Sequence, residues 1–395
     1  MGNKRIAIKL KPAAERMVKK RHPWVFEEGI VKQSDKGQAG DLAIVFDNKN
    51  NKFLACGLYD PYSPIRIKML QFHEAAQIDN KWFEKKIKTA LDLRKPLFKT
   101  DTNSYRLIYG ENDGLPGFIC DVYANVAVIK LYSRIWIPYM DVILPKIIKA
   151  SKCESIVIRL SRNLQGPKHN LDYFDGQTIF GPTVEKVVFT EHGLNFIANV
   201  KEGHKTGFFL DHRHNRRMVG EQSKGKKVLD VFSYAGGFSV HALANGAKEV
   251  VSLDISQHAL DLAKENVKLN PKKGAHKIIA ADAFDGMNAL LNNKQLFDIV
   301  VIDPPSFAKK EKEVSRALFS YKKLAILGAK LVKKGGLLVL ASCSSRVSAD
   351  DFFRTNLDAL SKNNKLRLKA KTHHDIDHPI NFPEGAYLKC GYYQL

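Results

Sequence analysis

The sequence predicts an α/β protein whose C-terminal part is a parallel sheet flanked by helices, preceded by a small β-barrel and an α+β middle segment. From about residue 225, short apolar runs alternate with helical segments, the signature of a parallel sheet with helices on its faces. Before about residue 75, strand-like alternation is broken by Gly29, Gly37, Gly40, Asp47-Asn48 and Gly57, spacings that suit a small barrel rather than βα units. The length, 395 residues, asks for two or three cores at roughly 150 residues each. The expected division is 1–75, 76–195 and 196–395.

Taken in order, Ile6, Ile8 and Leu10 alternate with other residues, as do Ile65, Ile67 and Met69 with Arg66 and Lys68, and both stretches read as strands. In the middle segment, a helix is expected over Trp82 to Leu93, ahead of Pro96, with strands at Val126 to Leu131 and Ser155 to Leu160. Gly110 to Gly117 is turn chemistry; Arg159 and Arg162 either line a phosphate track or face water. The C-terminal strands are Lys227 to Phe232, Glu249 to Asp254, Lys277 to Asp282, Phe297 to Asp303 and Gly336 to Cys343. After the second, Ser256 caps a helix whose Ala259, Ala263 and Val267 share one stripe, and Pro271 follows its end.

Hydrophobic residues at 44% and charged residues at 26% exclude a disordered or collagen-like chain. The 63 Lys and Arg against 41 Asp and Glu give +22, which favours a polyanionic partner. The excess is spread, +6 over residues 1–75 (14 against 8), +4 over 76–195 (17 against 13) and +12 beyond (32 against 20). Its densest patch, the first 21 residues, holds Lys11, Lys19, Lys20 and Arg21, the candidate contacts to nucleic acid. No apolar run reaches the ~18–20 residues of a membrane helix, and none near the N-terminus resembles a signal-peptide core. Five cysteines without a CxxC pair point away from zinc, iron–sulfur and disulfide frameworks. No metal and no membrane are expected, and a reducing cytoplasm fits.

Asp230, Asp254, Asp282, Asp303 and Cys343 all fall at or near the carboxyl ends of the expected strands, the edge where open α/β sheets bind ligands. One such Asp merely stops a strand; a row of them marks a crevice. The first turn, Phe232-Ser233-Tyr234-Ala235-Gly236-Gly237-Phe238, has two adjacent glycines and not the three spaced ones that press a backbone against a pyrophosphate. S-adenosylmethionine, which has no phosphate, tolerates such a turn. Asp254, 24 residues after Asp230, is placed to accept ribose hydroxyls, with Ile255 beside it, and Asp282-Ala283 lies beside the adenine.

Asp303-Pro304-Pro305 fixes a rigid turn over the place where a transferable methyl group sits. Cys343 ends a strand on the same edge, flanked by hydroxyls, whereas Cys56, Cys120, Cys153 and Cys390 read as buried apolar residues. A thiol and an acid together suit methylation at pyrimidine C5: thiolate addition at C6 makes C5 nucleophilic, and the acid serves N3.

Arg21-His22-Pro23-Trp24-Val25-Phe26, Gly203 to Asp211, Phe232 to Phe238, Asp303-Pro304-Pro305, Ser342-Cys343-Ser344 and Asp377-His378-Pro379 together resemble the ribosomal RNA large subunit methyltransferase I family, over nearly the whole chain. The resemblance implies a PUA RNA-binding domain, a central connecting domain and a Rossmann-like domain using S-adenosylmethionine to form 5-methylcytosine in 23S rRNA, free or in a large-subunit assembly intermediate. It leaves a homodimer open. It also implies that Thr206, Phe208, Asp211 and Arg213 help form the cofactor pocket. The stretch Pro383 to Lys389 resembles the family's end, with no role assigned to it or to Asp377-His378-Pro379 beyond core packing. No second thiol follows Asp303-Pro304-Pro305-Ser306, so the group that removes the C5 proton is open. Methylation of uracil C5 or a guanine nitrogen, and an inactive RNA-binding assembly factor, are the alternatives.

Overall fold

The structure, a computed structural model, describes residues 4–166, 171–361 and 366–395. The chain divides into two units, one of residues 1–189, 198–210 and 376–382, the other of residues 190–197, 211–375 and 383–395.

In the first unit, β1 (Arg5–Leu10), α1 (Pro12–Lys19), β2 (Trp24–Phe26), β3 (Ile30–Gln33), β4 (Leu42–Phe46), β5 (Phe53–Tyr59) and β6 (Ile65–Phe72) come first. Their strands form a six-stranded sheet in the order β2-β6-β5-β4-β1-β3. Ile6, Ile8, Val45, Ile67 and Met69 are buried in its core, as the alternation requires. Lys68, between Ile67 and Met69, is buried. It is 5% exposed and pairs with Asp60 at 2.7 Å, because the other side of β5 and β6 is covered by a second core in which Cys56, Leu58 and Leu70 join Phe83 and Trp136.

That second core belongs to α2 (Asn80–Arg94), β7 (Ser104–Tyr109), β8 (Phe118–Tyr123), β9 (Val126–Leu131), α3 (Met140–Ser151), β10 (Ser155–Leu160) and β11 (Gln177–Phe180), whose strands form a sheet ordered β11-β10-β9-β8-β7. Arg159 lines no phosphate track: it is 6% exposed, paired with Asp175 and donating to the Gly203 carbonyl at 2.9 Å. Arg162 is exposed. Asp377 and His378 are fully buried here; Asp377 accepts from the Arg106 backbone N–H at 2.9 Å and bonds His378 Nδ1 at 2.8 Å. A two-stranded hairpin, β12 (Lys186–Glu191) with β13 (Leu194–Asn199), follows.

The second unit runs α4 (Arg213–Glu221), β14 (Lys227–Val231), α5 (Gly237–Ala244), β15 (Glu249–Asp254), α6 (Gln257–Lys268), β16 (Ala275–Ala280), α7 (Ala283–Asn292), β17 (Phe297–Ile302), α8 (Val314–Leu331), β18 (Val332–Ser342), α9 (Ala349–Leu360), β19 (Arg367–Thr372) and β20 (Lys389–Gln394). Its sheet is ordered β16-β15-β14-β17-β18-β20-β19, parallel from β16 to β18, with β20 antiparallel to β18 and β19. Strand order reverses at β14, where an open α/β sheet leaves a crevice at its carboxyl edge. Ser256 caps α6 by accepting from the Ala259 N–H. β16 ends two residues earlier than expected because Asp282 leaves the sheet to cap α7, accepting from the N–H groups of Phe284 and Asp285. β18 begins four residues before Gly336, and Gly335 within it takes the left-handed conformation at φ +77°. Among the described residues, no helix is long and apolar enough to cross a membrane.

Candidate active site

The turn after β14 is held in an unusual conformation. Phe232, Tyr234 and Gly236 all have positive φ, at 63°, 46° and 73°. Only the last is a glycine, so two bulky residues carry backbone strain, as functional turns do. The turn is tied to its neighbours: Tyr234 N–H donates to Asp254 Oδ2 at 2.9 Å, and Asn266 Nδ2 donates to the Ala235 carbonyl at 2.9 Å. A Cβ on Gly236 would lie 2.8 Å from Ala263 Cβ, which makes glycine obligatory. Ser233 Oγ is buried in this turn and has no hydrogen-bond partner among the described residues.

Asp254 takes a second bond from Ser256 N–H at 2.9 Å and stays half-buried, while Ile255 beside it is 74% exposed. Asp282 is exposed and Ala283 buried at the neighbouring strand end. A half-buried carboxylate and an exposed aliphatic side chain at the end of β15, tied to the strained turn by the Tyr234 N–H, fit a nucleoside with an apolar face and ribose hydroxyls. Asp230 lies beneath. Burial pushes its pKa up to about 7, against two bonds from Ser239 and with Asp303 and Asp254 adding repulsion; among the described residues its Oδ1 has no hydrogen-bond partner.

Asp303, one residue past β17, holds its carboxylate near His212 Nε2 at 3.3 Å. The ring is oriented from behind. Asn215 Oδ1 accepts from Thr372 Oγ1 at 2.5 Å and Tyr392 OH at 3.0 Å, which leaves its Nδ2 to donate to His212 Nδ1 at 3.0 Å. The neutral ring therefore carries its proton at Nε2, toward Asp303. Burial disfavours charge on this ring and the Asp303 and Asp211 carboxylates favour it, with a net rise in pKa; a second proton at Nδ1 requires the Asn215 amide to turn. Asp211 itself accepts from Tyr387 OH at 2.7 Å.

Cys343 lies one residue past β18, parallel to β17, so its thiol and the Asp303 carboxylate share one edge of the sheet. It is half-buried, whereas Cys56, Cys120, Cys153 and Cys390 are buried. Its Sγ–H donates to the Pro304 carbonyl at 3.8 Å, in the turn that follows Asp303. Burial, then the Asp303 and Asp211 carboxylates, push the thiol up to about 12. The resting group is a thiol.

The remaining expected residues have other surroundings. Arg213 is fully buried, its guanidinium between Asp375 at 3.1 Å and Glu191 at 3.9 Å. In the first unit, Thr206 Oγ1 donates to Asp121 at 2.6 Å, and the Phe208 carbonyl accepts from Tyr123 OH at 3.0 Å. Lys11, Lys19, Lys20 and Arg21 are exposed around the two ends of α1, with Lys19 paired to Glu15. Sequence reasoning did not single out His212 or Lys389. Their signal was their company: His212 follows Asp211 directly, and Lys389 pairs in register with Ser342, next to Cys343.

Residues 166–381 match the family described as S-adenosylmethionine-dependent methyltransferase, and residues 8–72 match the PUA-like domain. A ribosomal RNA large subunit methyltransferase of Deinococcus radiodurans is 41% identical over 99% of this chain and 98% of its own length. The ribosomal RNA large subunit methyltransferase I of Alteromonas mediterranea is 37% identical over 96% of each. A Streptococcus mutans structure described as a SAM-dependent methyltransferase superposes with a TM-score of 0.82 at 20% identity, covering 98% of this chain and all of that one. Another methyltransferase structure, complexed with SAH, does so at 0.82 and 19%, covering 99% and 100%. S-adenosylmethionine is thus the cofactor, and the chain belongs to the ribosomal RNA large subunit methyltransferase I family.

Proposed function

We propose that this chain methylates C5 of a cytosine in large-subunit ribosomal RNA through a transient thioether between Cys343 and C6 of the base. The observation that carries the reading is the pairing of the one half-buried cysteine with Asp303 on adjacent strand ends of the cofactor-binding edge. The names of the relatives supply the RNA class. When bound, S-adenosylmethionine supplies a methyl group on a sulfonium.

The chain's residues do the rest. The thiol proton passes by way of Asp303 to N3 of the base as the sulfur–C6 bond forms with the sulfur's electron pair. C5, now enamine-like, takes the methyl group. The C5 proton then leaves to solvent, the C6–sulfur bond breaks with its pair returning to Cys343, and the N3 proton returns to the thiolate. His212 holds Asp303 in place by its Nε2 contact. Phe232, Tyr234, Ala235, Gly236, Asp254, Ile255, Asp282 and Ala283 line the cofactor side, over Asp230, with Asp211 and Arg213 of the same unit supporting it. Residues 1–75, 76–195 and 196–395 act as RNA-binding, connecting and catalytic parts, with Lys11, Lys19, Lys20 and Arg21 on phosphates. The target base must be unpaired or turned out of its stack to reach the edge.

The test is methyl transfer to undermodified 23S rRNA, with nucleosides mapped by mass spectrometry. The expected product is 5-methylcytidine, lost in Cys343→Ala. The resting proton on Cys343 is the observation that favours the second reading, a guanine nitrogen methylated without the thiol. In that case Cys343→Ala stays active and the label is on guanosine.

A further inference from the structure

Lys389 is a buried cation without a carboxylate. It is 1% exposed, and among the described residues no Asp or Glu pairs with it. Buried charges are normally paired, since an isolated ammonium loses its hydration with nothing in return. Its ammonium has three donors. Two are spent on one loop: Nζ donates to the Ser344 carbonyl at 2.5 Å and to the Val347 carbonyl at 2.7 Å. That loop begins at Cys343. The register of β20 on β18 sets Lys389 opposite Ser342, the residue before Cys343.

The other charged groups acting on Cys343 among the described residues are acidic. Asp303 after β17 and Asp211 before α4 both oppose a negative sulfur, and Tyr321 on α8 is bonded to Ser342. The Lys389 charge acts in the opposite sense, easing ionisation of Cys343. Conversely, burial pulls the Lys389 pKa down to about 8, and Cys343 is the ionisable neighbour that raises it again.

We propose that Lys389 is the positioning residue of the Cys343 nucleophile: its carbonyl clamp fixes the loop that carries the thiol, and its ammonium is the counter-charge of the thiolate during addition to, and departure from, the base. This rests on the thioether reading. The two carboxylates make a lone thiolate untenable at this edge, and the cation without a partner gains one when the thiol ionises. The same cation steadies the sulfur as the C6–sulfur bond breaks.

The test reads Cys343 without any RNA. The full chain is treated with iodoacetamide at pH 7, where Lys389 is charged, and alkylation of the Cys343 peptide is followed by mass spectrometry in the parent, Lys389→Gln and Lys389→Arg. Gln can donate to the same carbonyls but carries no charge. It is expected to slow Cys343 alkylation about tenfold, one pKa unit of lost support, and to lower kcat for methylation with KM for RNA retained. Lys389→Arg, which keeps the charge, is expected to alkylate at close to the parent rate. A folded Lys389→Gln as reactive as the parent, or a folded Lys389→Arg as slow as Gln is expected to be, would overturn the proposal. Methylation that survives Cys343→Ala would overturn the thioether reading and this proposal with it. An inactive Cys343→Ala beside unaltered Lys389→Gln chemistry would overturn this proposal alone.

Discussion

Asp230 shows how a single buried acid shapes the catalytic edge. Its pKa is raised from 3.8 to about 7 by burial, with Ser239 donating twice to Oδ2 and no described residue donating to Oδ1. Between those values the folded chain keeps a proton that the unfolded chain has released, so the stability Asp230 contributes falls as pH rises through that window. Asp230→Asn mimics the protonated acid and escapes this loss. Urea unfolding at pH 5 and pH 8 should show the variant gaining on the parent by on the order of 2–3 kcal/mol at the higher pH; a gap independent of pH would contradict it. At this scale the sequence was partly legible. The placement of Asp254, Asp303 and Cys343 at strand ends could be read because apolar runs stop there. Lys389 and His212 could not, because what makes each of them chemical is a partner 45 to 91 positions away in the chain, Ser344 for one and Asp303 for the other. Arg159 was misleading for the same reason, since its partner Asp175 lies on another segment.

The elements that hold the site are joined by ionic contacts that burial makes costly to break. Glu191, on β12, is fully buried and accepts from Arg216 of α4 at 2.7 and 2.6 Å and lies 3.0 Å from His241 of α5. Burial opposes its ionisation, but the Arg216 charge and its bonds outweigh that and hold the carboxyl well below the ordinary range. Glu191→Ala leaves Arg216 buried without its counter-charge and should cost about 3–5 kcal/mol in unfolding free energy, read by urea titration; a loss below about 1 kcal/mol, the range of surface pairs, would contradict this account. Strands β9 and β10 were legible to the residue, since short runs rich in Val and Ile, Val126 to Ile129 and Ile156 to Ile158, mark each of them. β16 was not, because Asp282 reads equally as the end of a strand or the cap of the next helix, and the structure uses it as the cap.

For the whole molecule the dominant quantity is charge. A net +22 with Lys11, Lys19, Lys20 and Arg21 exposed predicts that RNA affinity falls steeply with salt as phosphates shed counterions. Replacing Lys11 and Lys20 with Ala should lower the log–log slope by about one per charge removed, measured by filter binding at several salt concentrations; an unchanged slope would move the RNA contact elsewhere. Composition made the polyanionic partner legible, but charge alone named neither the base nor the atom methylated. That claim rests on Cys343, and the most direct test is to trap it. An rRNA fragment bearing 5-fluorocytidine at the target has no C5 proton to release, so after methyl transfer the thioether cannot break. Incubated with the protein and S-adenosylmethionine, it should give a stable adduct whose mass maps to the Cys343 peptide. An adduct at another residue, or methyl transfer to the target with no adduct at all, would contradict the thioether mechanism.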